Sequence, residues 1–190
     1  QRDEKALRKA WNDVLTGQTG RAQQSIDKLL AASPELVPAR VALGFAALRA
    51  NQLGDAESTF VSALARQPEN VAALVGLAAV KRKGGAIDEA LPLYMKADRL
   101  RPRDPALVRR ISEVKLSVAE AAIGRAMSLA AEGRKPDAMR MLRRALEVAP
   151  ELSPVRLELA DLLLEEGRRS EALEVLGEAH DADRNIALRM

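Results

Sequence analysis

The sequence contains no cysteine, a single histidine and very few aromatic residues. The lack of cysteine excludes disulfides, thiolate metal sites and cysteine nucleophiles, and one histidine, His180, cannot build a histidine-rich metal centre. Aromatic residues make up 2% of the 190 residues, namely Trp11, Phe45, Phe60 and Tyr94. The apolar residues are mostly Ala and Leu. This composition favours helices that pack through small side chains over strands, which carry more β-branched and aromatic residues.

Long apolar runs and a strong charge of one sign are also missing. The longest apolar run, from Ala72 to Val80, is well short of the roughly 20 residues that span a bilayer. The 30 basic and 27 acidic side chains give a formal net charge of +3, which gives little support to nucleic-acid binding. We therefore predict a soluble protein, cytoplasmic or periplasmic, without a nucleic-acid partner. Because the chain begins at Gln1, we expect a processed or trimmed fragment.

The sequence does contain an internal repeat with a period of 34 residues. Proline, alanine, bulky and turn-forming residues recur at this step: Pro34, Pro68 and Pro102; Ala22, Ala56 and Ala90; Ile26, Phe60 and Tyr94; Gly17, Asn51 and Gly85. The pattern resumes after 14 extra residues. Since periods of 20 to 50 residues are typical of repeat architectures, the spacing predicts five repeats, at 3–36, 37–70, 71–104, 119–152 and 153–186.

Each repeat has the pattern of two antiparallel helices. In residues 37–70, small and apolar residues with helical spacing precede Asn51, and a second helical face follows with Ala56 and Phe60. A Gly or Asn between the helices suits a left-handed C-cap, because both residues tolerate positive φ. Small residues such as Gly44 let the paired helices approach. The sequence therefore predicts an all-α protein.

These residues resemble the tetratricopeptide repeat family. The resemblance covers nearly the whole chain and is strongest at Leu43, Gly44, Ala56, Phe60, Ala63 and Pro68, and at Leu77, Ala78, Ala90, Tyr94, Ala97 and Pro102. It implies an α-solenoid of antiparallel helix pairs, wound as a right-handed superhelix, that serves as a protein-recognition scaffold. It also implies that repeat positions 2, 5, 9, 12 and 13 face a concave groove.

The 14 extra residues are predicted to lengthen the first helix of repeat four, because no proline lies between Pro105 and Gly133. Fourteen residues close almost four helical turns, so the buried face stays nearly in phase. We expect one long helix at about 105–131 that joins two sub-modules, residues 1–118 and 119–190, with its first half capping repeats one to three. The alternative is a kink near residues 117–124. The middle of this helix lacks the neighbouring helices of a regular repeat. There we predict a homodimer contact through Val114, Leu116 and Val118.

The groove positions of the first sub-module combine apolar and basic residues. The predicted binding residues are Leu7, Trp11, Val41, Phe45, Leu48, Arg49, Val75, Arg82, Lys83 and Arg109. They suit a protein or peptide with apolar anchors and acidic flanks. The alternative is that Trp11 and Phe45 complete the core or contact a missing N-terminal helix.

No catalytic motif is present in the sequence. Gly84 and Gly85 lack the Gly-Lys-Ser/Thr ending of a phosphate loop, and no nucleophile is spaced to pair with His180. We therefore predict no enzymatic activity, no cofactor and no metal. The predicted function is a non-enzymatic scaffold that binds a protein segment and supports complex assembly. The alternative is a regulatory or targeting domain of a larger enzyme or of a secretion or envelope-assembly protein.

Overall fold

A computed structural model describes residues 2–177 as a series of helices joined by short turns. The helices are α1 (Arg2–Leu15), α2 (Thr19–Ala32), α3 (Val37–Arg49), α4 (Leu53–Arg66), α5 (Val71–Lys83), α6 (Ile87–Leu100), α7 (Pro105–Ala131), α8 (Lys135–Val148) and α9 (Ser153–Glu165). Residues 169–177 form α10. No strand occurs in this part of the chain. The predicted all-α class is confirmed.

The chain divides into two compact units, Gln1–Ile111 and Ser112–Met190. In the first unit α1 packs on α2, α3 on α4 and α5 on α6, and α3 also contacts both α1 and α5. The first helices of successive repeats therefore lie side by side and form one layer. In the second unit α8 packs on α9.

The turn between the two helices has the same backbone geometry in all five repeats. Its central residue adopts a positive φ, between +62° and +86°, at Gly17, Asn51, Gly85, Gly133 and Gly167. In the second repeat the N–H of Gln52 donates to the carbonyl of Ala47 at 2.9 Å, and the N–H of Asn51 donates to that of Leu48 at 3.2 Å. These two bonds form a Schellman motif. The predicted left-handed caps are confirmed.

A buried bulky residue fills the centre of each of the first three repeats, at Ile26, Phe60 and Tyr94. The ring of Phe60 lies between α3 and α5, where it faces Gly44 and Gly76. A Cβ atom added to Gly44 would lie 2.6 Å from a carbon of that ring. A side chain at either position would therefore force the ring or the neighbouring helix to shift.

Ion pairs connect neighbouring helices at the surface. Lys81 of α5 contacts Glu57 of α4 at 2.8 Å and Glu89 of α6 at 2.7 Å, and its hydrogen bonds to these two carboxylates raise the pKa of Lys81. Arg66 contacts Glu35 at 2.7 Å, and this hydrogen bond lowers the pKa of the Glu35 carboxyl. These pairs tie successive helix pairs together, although each exposed pair contributes little alone.

Helix α7 runs through 27 residues without a break, with the bounds expected from the sequence. Its interior face is marked by residues four apart, Val114, Val118, Ala122 and Ala126, all of which are buried. The prediction that Val114 and Val118 form a homodimer contact is therefore wrong, because both side chains are buried within the chain. Leu116 is exposed because a residue two positions along a helix is rotated by about 200°.

Candidate functional site

A cavity of about 440 Å³ opens on the layer of first helices in the first unit. Helices α1, α3 and α5 supply its apolar surface, and the start of α7 closes one side. Its lining residues are Trp11, Val14, Leu15, Phe45, Arg49, Val71, Ala72, Val75, Arg101, Asp104, Ala106, Leu107 and Arg110. Because these residues come from four helices and one turn, the cavity exists only when the repeats are stacked.

Three aromatic rings lead from the cavity into the core. The ring centroids of Trp11 and Phe45 are 5.6 Å apart with a tilt of 50°, and those of Phe45 and Phe60 are 5.0 Å apart in an edge-on arrangement. Trp11 and Phe45 are half-buried and pack against the core while also lining the cavity. Completing the core and lining the cavity are therefore compatible roles for these two side chains.

The charged residues of the cavity are mostly basic. Arg49, Arg101 and Arg110 bring three guanidinium groups to it, and Asp104 brings the one carboxylate of its lining. The carboxylate oxygen Oδ1 of Asp104 accepts a hydrogen bond from the N–H of Ala106 at 2.9 Å, which caps the N-terminus of α7. Its Oδ2 atom lies 3.8 Å from Nη1 of Arg101. The cavity therefore has an excess of positive charge.

Four of the ten predicted groove residues line this cavity: Trp11, Phe45, Arg49 and Val75. Val41 is 2% exposed and belongs to the core cluster around Phe60, so its assignment to the groove surface is wrong. The physical reason is that α3 is flanked by α1 and α5, which cover this position from both sides. Leu7 and Leu48 are half-buried against the core, while Arg82, Lys83 and Arg109 are exposed outside the cavity lining.

Sequence reasoning missed Arg101 and Arg110. Arg101 lies in the turn between α6 and α7, which repeat positions counted along first helices do not include. Arg110 could have been predicted from the sequence, because Leu107 and Val114 define the buried stripe of α7. A residue three positions after Leu107 lies beside that stripe, whereas Arg109 points away from it.

The described residues hold no group of three or more side chains that could bind a metal ion. In residues 2–177 no helix is long and apolar enough to cross a membrane. His180 lies outside the described residues.

Sequence and structure comparisons agree on the repeat type. Two profiles described as tetratricopeptide repeat match residues 41–105 and residues 129–190. TTC0263, a thermophilic TPR protein of Thermus thermophilus, is 22% identical with a TM-score of 0.50, over 98% of this chain and 95% of that one. A structure of MamA AMB-1 is 20% identical with a TM-score of 0.50, over 95% and 98% of the two chains. No curated protein sequence matches.

Proposed function

Because the chain belongs to the tetratricopeptide repeat family, we propose that it is a non-enzymatic adaptor that binds a protein segment in the cavity of its first unit. The observation that supports this function is the presence, in one cavity, of the apolar side chains Trp11, Phe45 and Val75 beside three guanidinium groups. Binding a segment of one protein in this cavity supports the assembly of a larger complex.

The ligand is a segment with a large apolar anchor and acidic flanks. Half-buried aromatic rings give a wide contact area at low conformational cost, and such rings are frequent hot spots of interfaces. Guanidinium groups bind carboxylates through paired hydrogen bonds. An apolar side chain on Trp11 and Phe45, with carboxylates beside Arg49, Arg101 and Arg110, satisfies both kinds of contact.

The side chain of Arg101 is available to such a ligand. The carboxylate of Asp104 is already hydrogen-bonded to the backbone of α7, and its 3.8 Å separation from Arg101 is longer than a direct hydrogen bond. The side chain of Arg101 is 65% exposed, so this ion pair contributes little. A carboxylate of the ligand replaces Asp104 at Arg101 with little loss.

Calorimetric titration with two ten-residue peptides tests the proposal. One peptide has Phe and Leu at its centre between glutamates, and the other has lysines in place of the glutamates. We expect the acidic peptide alone to bind. The double variant Arg101→Glu, Arg110→Glu is expected to weaken binding about tenfold or more.

The matched control is Arg99→Glu, Arg144→Glu, which makes the same charge change at two exposed arginines outside the cavity lining. An equal loss of affinity in both double variants would contradict the proposal, because the effect would then follow from net charge alone. Equal binding of the two peptides would contradict it as well.

A further inference from the structure

The second helix of a repeat packs on the first helix of the repeat that follows. Helix α2 packs on α3, α4 on α5 and α8 on α9. Since stacked repeats bury their surfaces against their neighbours, the following first helix shields one side of each second helix from water. Helix α10 is the last helix that the structure describes. No first helix follows it within residues 2–177.

Two ion pairs identify residues of a second helix that meet the next first helix. Lys135, near the start of α8, contacts Glu165 and Glu166 at the C-terminal end of α9, at 3.1 and 3.2 Å. In the middle of α4, Glu57 contacts Lys81 of α5 at 2.8 Å. Both positions of the second helix therefore face the following repeat.

The bulky position of the repeat faces the next first helix as well. The ring of Phe60, on α4, packs against Gly76 of α5. The residues at this position are at most 1% exposed in the four earlier repeats, namely Ile26, Phe60, Tyr94 and Leu142. The following first helix therefore contributes to the burial of this position.

Helix α10 repeats the chemistry of α8 at these three positions. On α8 the three residues are a cation and two apolar side chains, Lys135, Met139 and Leu142. A step of 34 residues along the chain leads to Arg169, Leu173 and Leu176 on α10. Intervals of four and three residues keep them on one side of the helix. We call Arg169, Leu173 and Leu176 the α10 face.

The α10 face is exposed, whereas its apolar counterpart on α8 is buried. Leu173 is 64% exposed and Met139 only 5%, and Leu176 is 36% exposed where Leu142 is fully buried. Arg169 is exposed as well. A single exposed leucine is ordinary, but apolar residues that share one helical face mark an interaction surface. The α10 face therefore lacks the cover that α9 gives to α8.

The first helix of a second copy does not suit the α10 face. In α1, Arg8 holds the repeat position that Gly76 holds in α5. Its side chain is 81% exposed and lies 3.4 Å from Glu4. A head-to-tail stack of two copies would place this ion pair against Leu176, and removing two charges from water is costly. A different helix is needed to cover the α10 face.

We propose that the α10 face binds an amphipathic helix of another protein that resembles α9. Such a helix packs small and apolar residues on Leu173 and Leu176, and a carboxylate near its C-terminal end pairs with Arg169, as Glu165 pairs with Lys135. The partner helix thus extends the array by one layer. This site does not depend on the function proposed for the cavity of the first unit.

Calorimetric titration of the full chain with two peptides tests the proposal. The first peptide has the sequence of residues 153–166 with blocked ends, and the second has lysines in place of Glu165 and Glu166. We expect the first peptide to bind, and the second to bind at least about threefold more weakly because Arg169 repels its lysines. The variant Leu173→Lys is expected to weaken binding of the first peptide about tenfold or more.

The control for Leu173→Lys is Leu157→Lys, which makes the same change at a leucine of α9 that is 57% exposed. It should keep the affinity within about twofold. Circular dichroism checks that both variants retain their helices. The variant Arg101→Glu, Arg110→Glu should also keep this affinity, which separates the α10 face from the cavity.

A charge reversal tests the role of Arg169. The variant Arg169→Glu should bind the lysine peptide more tightly than the glutamate peptide, because the charge of the α10 face is then negative. Its control is Arg144→Glu, the same change at an exposed arginine of α8. The control should still prefer the glutamate peptide.

Failure of the glutamate peptide to bind would overturn the proposal. An equal loss of affinity in Leu173→Lys and Leu157→Lys, or an unchanged preference in Arg169→Glu, would place the peptide elsewhere on the chain. A melting temperature lowered by more than about 5 °C in Leu173→Lys would show that the chain covers the α10 face itself. A concentration-dependent dimer of the wild type that Leu173→Lys abolishes, measured by sedimentation equilibrium, would assign the face to a second copy.

Discussion

The ring of Phe60 packs directly against Gly76, so this contact between the second and third repeats depends on a residue without a side chain. The same ring also faces Gly44, and it meets the ring of Phe45 in an edge-on arrangement. This one side chain therefore links the core to the cavity, since Phe45 belongs to both. The fit of Phe60 sets how closely α3 and α5 approach.

Replacing Gly76 by alanine is expected to lower the free energy of unfolding by about 1–3 kcal/mol, because the added methyl overlaps the Phe60 ring. Alanine at Gly124, in the middle of α7, meets no atom within 4 Å and should raise stability by about 1 kcal/mol through helix propensity. Urea denaturation measures both variants. A stabilised Gly76→Ala variant would show that the ring moves aside freely.

Replacing the buried Arg156 by leucine is expected to lower the free energy of unfolding by about 1–3 kcal/mol, because the carbonyls of Pro150 and Val175 lose a charged donor. Leucine is a fair test of the hydrogen bonds, since Leu74 fills the same repeat position and is buried. The control is Arg40→Leu, whose Nη2 donates to the carbonyl of Pro34 at 2.6 Å. Equal melting temperatures of the two variants would show that burial does not make the hydrogen bonds of Arg156 more stabilising than that of Arg40.

Substitutions of Asp104 separate its role as the N-cap of α7 from its contact with Arg101. Asp104→Ala should lower stability by about 1 kcal/mol, because the N-cap of α7 is lost, and should strengthen binding of the acidic peptide because Arg101 is released. Asp104→Asn keeps an oxygen for the N-cap, so it should strengthen peptide binding while stability changes little. Thermal melts and calorimetry measure the two effects. Weaker peptide binding by both variants would place Asp104 among the ligand contacts.

Acid should weaken the contact between Glu35 and Arg66. The hydrogen bond from Arg66 lowers the pKa of the Glu35 carboxyl from its usual value of 4.5. The ionised Glu35 therefore stabilises the fold fully above pH 4.5, and this stabilisation is lost as the pH falls through the lowered pKa. The difference in melting temperature between wild type and Glu35→Gln should therefore shrink between pH 6 and pH 3. Glu69→Gln, which removes a carboxylate with no ion pair in residues 2–177, provides the comparison. A constant difference for Glu35→Gln would exclude the linkage.

The sequence predicts those features of this protein that depend on local spacing. Asn51 marks a turn because few residues tolerate positive φ, and the bulky position of Phe60 recurs with the repeat. The continuous α7 follows from the lack of proline between Pro105 and Gly133 and from the helical phase of the 14 extra residues. Exposure depends instead on flanking helices: Val41 is covered by α1 and α5, whereas Leu157, at the same repeat position, is open. Arg101 lines the cavity because of the course of the turn between α6 and α7. The hydrophobic periodicity of the helices does not predict the course of that turn.

The distribution of aromatic residues also makes the first unit optically distinct. Trp11, Phe45, Phe60 and Tyr94 all lie within Gln1–Ile111, and the rest of the chain contains no aromatic residue. Tryptophan emission and near-ultraviolet absorbance therefore arise from the first unit alone, whereas far-ultraviolet dichroism records the helices of both. Melting curves that differ between the two signals mean that the units unfold separately, and coincident curves mean that they unfold as one.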